Sequence, residues 1–334
     1  MDRPLAFFLL AFILSAVATP LFGRLSLKYG LVDHPSSRRF HLTSMPLLGG
    51  VAVIAVFIAL VPFAAGWEGV RQYGGILVAA LVLTGFGLYD DVRGIPAAVK
   101  FAGQLAGALI LILSGLMWRV TGIAALDVLI TIVWVAGIIN AMNLLDNIDG
   151  LSSGAAAVAG VFFFLLGVMG GAERFALIAI VFAGVCMGFL LHNFHPATVF
   201  MGDAGSMALG ALLAGFGMVL PGRGDSLAHL TSAVVLGLLI FDTGLVSILR
   251  LANGKSIFEG GKDHTSHRLC AMGLSVQASV VILFGVSFFF GCCALVMTRM
   301  GHPNGLMIPF GLFMMGLTCL YLLKDTYDYG REAA

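Results

Sequence analysis

Long apolar stretches, separated by short polar loops, run through nearly the whole chain. Eleven of them stand out, at roughly 4–23, 47–65, 74–90, 97–116, 127–145, 151–170, 174–192, 206–220, 229–250, 276–298 and 306–323. Each approaches the roughly 20 residues a helix needs to cross hydrocarbon. The eighth is short for a full span, and the ninth carries Asp242 well inside it. The pattern predicts an all-α polytopic integral membrane protein of ten to eleven transmembrane helices. Only the loops 24–46 and 251–275 are long, so residues 1–334 read as a single domain without a linker.

Composition sharpens this. The chain is 60% hydrophobic and 10% charged, against about 25% charged in soluble domains. The net charge of +1 points to no particular partner and gives no ground for a nucleic-acid ligand. The 5 cysteines form no Cys-x-x-Cys pair, which removes the usual zinc and disulfide frameworks. Ala16-Val17-Ala18 resembles a signal-peptide cleavage site. The cluster Arg24, Lys28, Arg38 and Arg39 that follows suits the cytoplasm, so the first segment is kept as a membrane helix.

Charge then sets the orientation. Loops after the odd-numbered crossings hold twelve of the 18 lysines and arginines, and the other side holds six. The positive-inside bias places the first set in the cytoplasm and the N-terminus outside. Every polar motif of interest falls on the cytoplasmic side, which predicts active-site loops there.

Three of those motifs are carboxylate-based. Asp90-Asp91 ends the third crossing, and neighbours in a helix do not share a face. One can meet a metal or substrate while the other caps or pairs, or both can be solvated helix ends. In Asn140-Ala-Met-Asn143-Leu-Leu-Asp146-Asn-Ile-Asp149-Gly150 the polar residues recur every third position, one stripe if helical. Hard oxygen ligands of this kind suit magnesium, although an interhelical polar seam with Asp149 as a helix cap uses the same residues. Phe200-Met-Gly-Asp203-Ala-Gly-Ser206 puts an aspartate between glycines before a helix, a place for phosphate or for a simple N-cap. His192 and His195 flank Asn193 and are read as interfacial or hydrogen-bonding residues. Lys262-Asp-His264-Thr-Ser-His267-Arg268 offers cationic donors suited to a diphosphate or sugar, and a plain positive-inside loop uses the same residues. Carboxylates for a divalent metal and a cationic clamp together are the equipment of phosphoryl transfer.

In this order the motifs resemble those of the polyprenyl-phosphate N-acetylhexosamine-1-phosphate transferases. That family includes undecaprenyl-phosphate GlcNAc-1-phosphate transferases and the phospho-MurNAc-pentapeptide translocase. Asp33-His-Pro35, Arg38-Arg39-Phe-His41 and Pro46-Leu-Leu-Gly49-Gly50 are similar to its first cytoplasmic loop. Asp90-Asp91 looks like its aspartate pair, and Asn143 to Leu151 resembles its Asp-Gly-x-Asp-Gly signature. Asn193, Pro196, Phe200 and Asp203 match its nucleotide and magnesium segment. Phe241-Asp242-Thr243 resembles its interrupted ninth helix, and His264 to Leu269 its histidine loop in the GlcNAc-type branch. Two departures stand out: Asn147 replaces a usual glycine, and Ser266 a usual histidine.

The resemblance implies transfer of a HexNAc-1-phosphate, GlcNAc-1-phosphate first, from a UDP-sugar to polyprenyl phosphate with release of UMP. It implies a bacterial plasma-membrane enzyme using magnesium, with manganese as the alternative, and it admits a homodimer. Asp203 and Asp146 would hold the metal. Asp90, with Asp91 alongside, would orient or deprotonate the lipid phosphate, and Asp149 would shape the nucleotide pocket. Asn193 and Phe200 would hold uridine. Arg39, Asn143, His264, His267 and Arg268 would contact the rest of the substrate. The rival reading is an ion-coupled secondary transporter with intramembrane carboxylates such as Asp242. Such carriers favour internal repeats and midplane sites, whereas no clear repeat is seen here and the acids lie at helix ends.

Overall fold

The computed structural model describes residues 2–33, 44–220, 227–256, 261 and 263–323. Helices dominate: α1 (Asp2–Lys28), α2 (Gly49–Arg93), α3 (Ala97–Leu113), α4 (Ala124–Leu145), α5 (Leu151–Met169), α6 (Glu173–Asn193) and α7 (Gly202–Val219) come first. α8 (Leu227–Val235), α9 (Gly237–Ala252), α10 (Thr265–Ala271), α11 (Val276–Met300) and α12 (Met307–Leu323) follow. Between α1 and α2, β1 (Val32–Asp33) and β2 (Met45–Pro46) form a two-stranded antiparallel ribbon. Eight of the helices are long and apolar enough to cross a membrane, nine when α8 and α9 are taken as one bent span.

The longest helix accounts for two of the expected crossings. α2 runs for 45 residues but breaks at Gly66, whose φ of 69° and ψ of 177° lie outside helical space. Glycine adopts a positive φ without a Cβ clash. Both ends of α2 then return to the start of α7: Gly50 N donates to Met201 O at 3.0 Å, and Asp91 accepts from Asp203 N at 2.8 Å. The fold-back tip lies at the other end of the bundle. There Arg3 Nη2 donates to Ala64 O at 3.1 Å, and Arg174 pairs with Glu68. α2 is therefore two antiparallel limbs, the second and third apolar stretches, turning at one glycine with no loop between them. α3 is the fourth stretch, apolar but only 17 residues long.

Packing is tight where glycines meet. A Cβ on Gly50 would overlap Gly205, and one on Gly87 would overlap the backbone of Asp203. Small residues that let helices approach closely are the usual device of membrane bundles. Here they press both limbs of α2 onto the first turns of α7, which brings Asp90, Asp91 and Asp203 together. The core is filled by edge-to-face aromatics, including Phe57, Phe163, Phe175, Phe182 and Phe216.

The ninth crossing is interrupted, as expected, but elsewhere than expected. The 75° bend separates α8 from α9 around Leu236. Phe241-Asp242-Thr243 lies inside the continuous α9. The loop 251–275 also holds a short helix, α10, that the apolar pattern does not show.

Candidate active site

A cavity of about 550 Å3 opens at the bundle end that gathers the C-termini of α4 and α6, the second limb of α2 and the start of α7. It brings together Asp91, Asn143, Asp146, Asp149, Asn193, Phe200, Asp203 and His267 from the residues expected at the site, and adds Asp33, Asn147 and His195. Arg39 lies outside the described residues. Asp90, His264 and Arg268 stand behind the cavity wall rather than in it.

Asp203 is placed differently from the sequence expectation. α7 starts at Gly202, so Asp203 is in its first turn, not before it, and Met201 makes no side-chain cap. The cap comes from another helix: Asp91 Oδ1 accepts from Asp203 N at 2.8 Å and Oδ2 from Ala204 N at 3.1 Å. A carboxylate here satisfies the unpaired N–H groups of a helix start and complements its dipole. Asp203 is left to face its own partners. Its Oδ1 accepts from Asn143 Nδ2, which also donates to Ser206 Oγ at 2.8 Å. Its Oδ2 lies 2.8 Å from Lys100 Nζ.

Lys100 is the site residue the sequence reading counted only as loop charge. Its Nζ also lies 2.6 Å from Asp90 Oδ2, while Asp90 Oδ1 accepts from Ile95 N at 2.8 Å. The only cue in the sequence is a lone lysine one turn into an apolar helix.

The stripe from Asn140 to Asp149 does not continue as one helix. α4 ends at Leu145, and 146–150 turn into α5 with Gly150 at a φ of 81°. The turn aims each carboxylate separately. Asp146 accepts from Ser152 Oγ at 2.5 Å. Asp149 does not cap α5; its Oδ2 takes His195 Nδ1 at 2.7 Å and Ala197 N at 3.1 Å, tying down the loop after α6. Asn193 knits the same loops, accepting from Gly150 N and Ser153 Oγ and donating to Val199 O, each at 3.1 Å. His192 reaches Ala16 O on α1 at 2.9 Å, so both neighbouring histidines are hydrogen-bonding residues.

α10 closes another side. Asp242, inside α9, accepts from His264 Nδ1 at 2.8 Å and from Thr265 N at 2.7 Å. In the other direction Asp263 takes Arg250 in a bidentate pair, both bonds 2.7 Å. Burial would raise the Asp263 carboxyl, but the Arg250 hydrogen bonds and charge hold it below the usual carboxylate range. Arg268 Nε donates to Asp263 O at 2.8 Å. His264 and Arg268 thus hold α10 in place, and His267 lines the cavity.

The electrostatics favour a cation. Burial pushes the Asp146 carboxyl up to about 8; the charges of Asp203, Asp91 and Asp149 add to this, against the Ser152 hydrogen bond. Among the described residues no three His, Cys, Asp or Glu side chains are grouped to hold a metal unaided. Magnesium commonly takes one or two carboxylates and completes its shell with water and substrate phosphates. Asp146 and Asp203 are two such carboxylates on the cavity wall.

The profile of glycosyl transferase family 4 matches residues 73–220, which carry most of this cavity. The chain is 32% identical over 307 residues to the "Probable undecaprenyl-phosphate N-acetylglucosaminyl 1-phosphate transferase" of Bacillus subtilis, covering 89% of this chain and 86% of the relative. It is 34% identical over 314 residues to the decaprenyl-phosphate N-acetylglucosaminephosphotransferase of Mycobacterium leprae, with 83% and 79% covered. Against the phospho-N-acetylmuramoyl-pentapeptide-transferase of Thermosynechococcus vestitus the identity is 30% over 297 residues, 79% and 73% of the two chains. Sharing about a third of its residues with such proteins along most of its length, the chain belongs to glycosyl transferase family 4.

Proposed function

We propose that the protein transfers GlcNAc-1-phosphate from UDP-GlcNAc to a polyprenyl phosphate in the bacterial plasma membrane, an early step of cell-envelope glycan synthesis. The cavity would face the cytoplasm. The observation that carries the reading is the convergence of Asp146, Asp203 and Lys100 at the cavity end of the bundle, in a chain similar to GlcNAc-1-phosphate transferases.

An oxygen of the lipid phosphate attacks the β-phosphorus of the nucleotide sugar. The bond from that phosphorus to the oxygen bridging it to the α-phosphate breaks, and UMP leaves. A phosphate monoester has its second pKa near about 6, so a strong base is not required. Asp146 and Asp203 would hold magnesium, or manganese in its place, which when bound supplies charge neutralisation for the diphosphate. Lys100, paired with Asp90 and Asp203, would share its cation between those carboxylates and an incoming phosphate. Asp90 positions Lys100 and thereby serves the acceptor, while Asp91 fixes the start of α7. Phe200 stacks the uracil, Asn193 and Asp149 shape the nucleotide end, and His267 meets the sugar diphosphate. Arg39, in the loop 24–46, would contact the substrate.

The test is UMP release by purified protein in detergent, supplied with undecaprenyl phosphate and a panel of UDP-sugars. UMP should require the lipid, one UDP-HexNAc and a divalent cation, and chelation should stop it. Asp203→Ala should abolish release while leaving folded protein. No UMP with any donor, from folded protein, or full activity in Asp203→Ala, would overturn the reading.

A further inference from the structure

The fold places Asn147, in the turn after α4, in contact with Ser266 of α10. Ser266 is 1% exposed and donates its hydroxyl to Asn147 Oδ1 at 2.8 Å. Asn147 in turn donates Nδ2 to Leu144 O at 2.7 Å, the last turn of α4. Its amide is thereby held at both ends. Asn147 lines the cavity between Asp146 and Asp149, and the residue after Ser266 is His267, which also lines it. Ser266 Oγ lies 3.5 Å from His267 Nδ1. A line of polar contacts thus runs from the end of α4, through this pair, to a histidine of the cavity wall.

Docking of α10 does not need this line. Asp242 grips its N-terminus and the Asp263–Arg250 pair holds the loop before it. What the Asn147–Ser266 bond adds is registration of α10 against the carboxylate turn. We infer that Asn147 and Ser266 act as one specificity-determining unit that positions His267 against the sugar of the donor. This rests on the nucleotide-sugar reading above.

The experiment is a double-mutant cycle with Asn147→Ala, Ser266→Ala and the double variant, read as KM for the UDP-sugar. A single hydrogen bond lost from a positioned pair should raise that KM about fivefold in each single variant, and no further in the double. KM for polyprenyl phosphate and inhibition by UMP, which lacks the sugar, should stay at wild-type values. A double variant at the product of the singles, about 25-fold, overturns the inference. So does UMP inhibition that weakens in step with the donor KM, or single variants with unchanged KM. Wild-type protein that releases no UMP with any donor overturns the function itself and the inference with it. If the alanine variants do not fold, the exchange Asn147→Gly with Ser266→His decides the matter. An active double variant should change the ratio of kcat/KM between UDP-GlcNAc and UDP-GalNAc, and an unchanged ratio overturns the inference.

Discussion

Lys100 Nζ lies between two carboxylates from different helices, 2.6 Å from Asp90 and 2.8 Å from Asp203. Replacing it by methionine leaves both acids facing each other without a cation. Lys100→Met should therefore lower UMP formation at least about 100-fold, the scale seen when one electrostatic contact at a reacting phosphate or oxyanion is removed. Lys100→Arg should recover part of the rate; the assay is UMP release, with the yield of monodisperse protein as the control for folding. At this scale the sequence brings out the residue types but not the contacts they make. Asp91 reads as a candidate for the chemistry, yet its carboxylate caps the first turn of α7. Asp127 attracts no notice in the sequence, yet it is 2% exposed and its Oδ1 accepts from Val120 N, Thr121 N and Thr121 Oγ1. A carboxylate in an apolar helix marks function by default, but here one such group serves only a turn.

Among the elements, α10 shows how a seven-residue helix too short to stand alone is held over a cavity. Its two carboxylate grips point in opposite directions, one from α9 to the loop and one from the loop to α9. Asp242→Asn should loosen the N-terminal grip, raising amide exchange over 264–271 and lowering turnover about tenfold with little change in helix content. The Asp263 grip makes a pH prediction. Because its folded pKa is held below the usual value of about 3.9, the stability it adds is complete above that value and is lost only as pH falls through the lower folded one. Protection of α10 should thus be flat from pH 8 to 5 and fall below about pH 4, whereas Asp263→Asn should be less protected than the native protein across the flat range; amide exchange corrected for intrinsic rates measures both. The apolar pattern missed α10 because seven residues carry less than two full turns of periodicity. It also left α2 as two segments joined by a loop, because Glu68, Arg71 and Gln72 read as a polar linker although the second limb is already helical there. α7 begins earlier than its apolar stretch because its first turn is made of small and acidic residues.

For the molecule as a whole, the two ends of the bundle are chemically distinct: one holds the cavity, the other the Arg3, Glu68, Glu173 and Arg174 pairs. From the charge bias we propose that the cavity end faces the cytoplasm. In a background with the five native cysteines replaced by serine, single cysteines at Arg93 and Lys255 should react with an impermeant thiol reagent only in inside-out vesicles. Cysteines at Thr121 and Gly171 should react in intact cells, and the reverse pattern would invert the proposed orientation. The sequence by itself determined the helical class, the apolar segments, the distribution of cations and the identity of many polar cavity residues. It could do so because hydrocarbon forces long uninterrupted apolar runs and leaves polar motifs conspicuous at their ends. Tertiary structure alone decided that α2 folds back at Gly66, that Lys100 joins Asp90 to Asp203, that Asp91 caps α7 and that Asn147 meets Ser266. Those are contacts between segments far apart in the chain, set by glycine-mediated helix packing and by hydrogen bonds across helices, and no local periodicity encodes them.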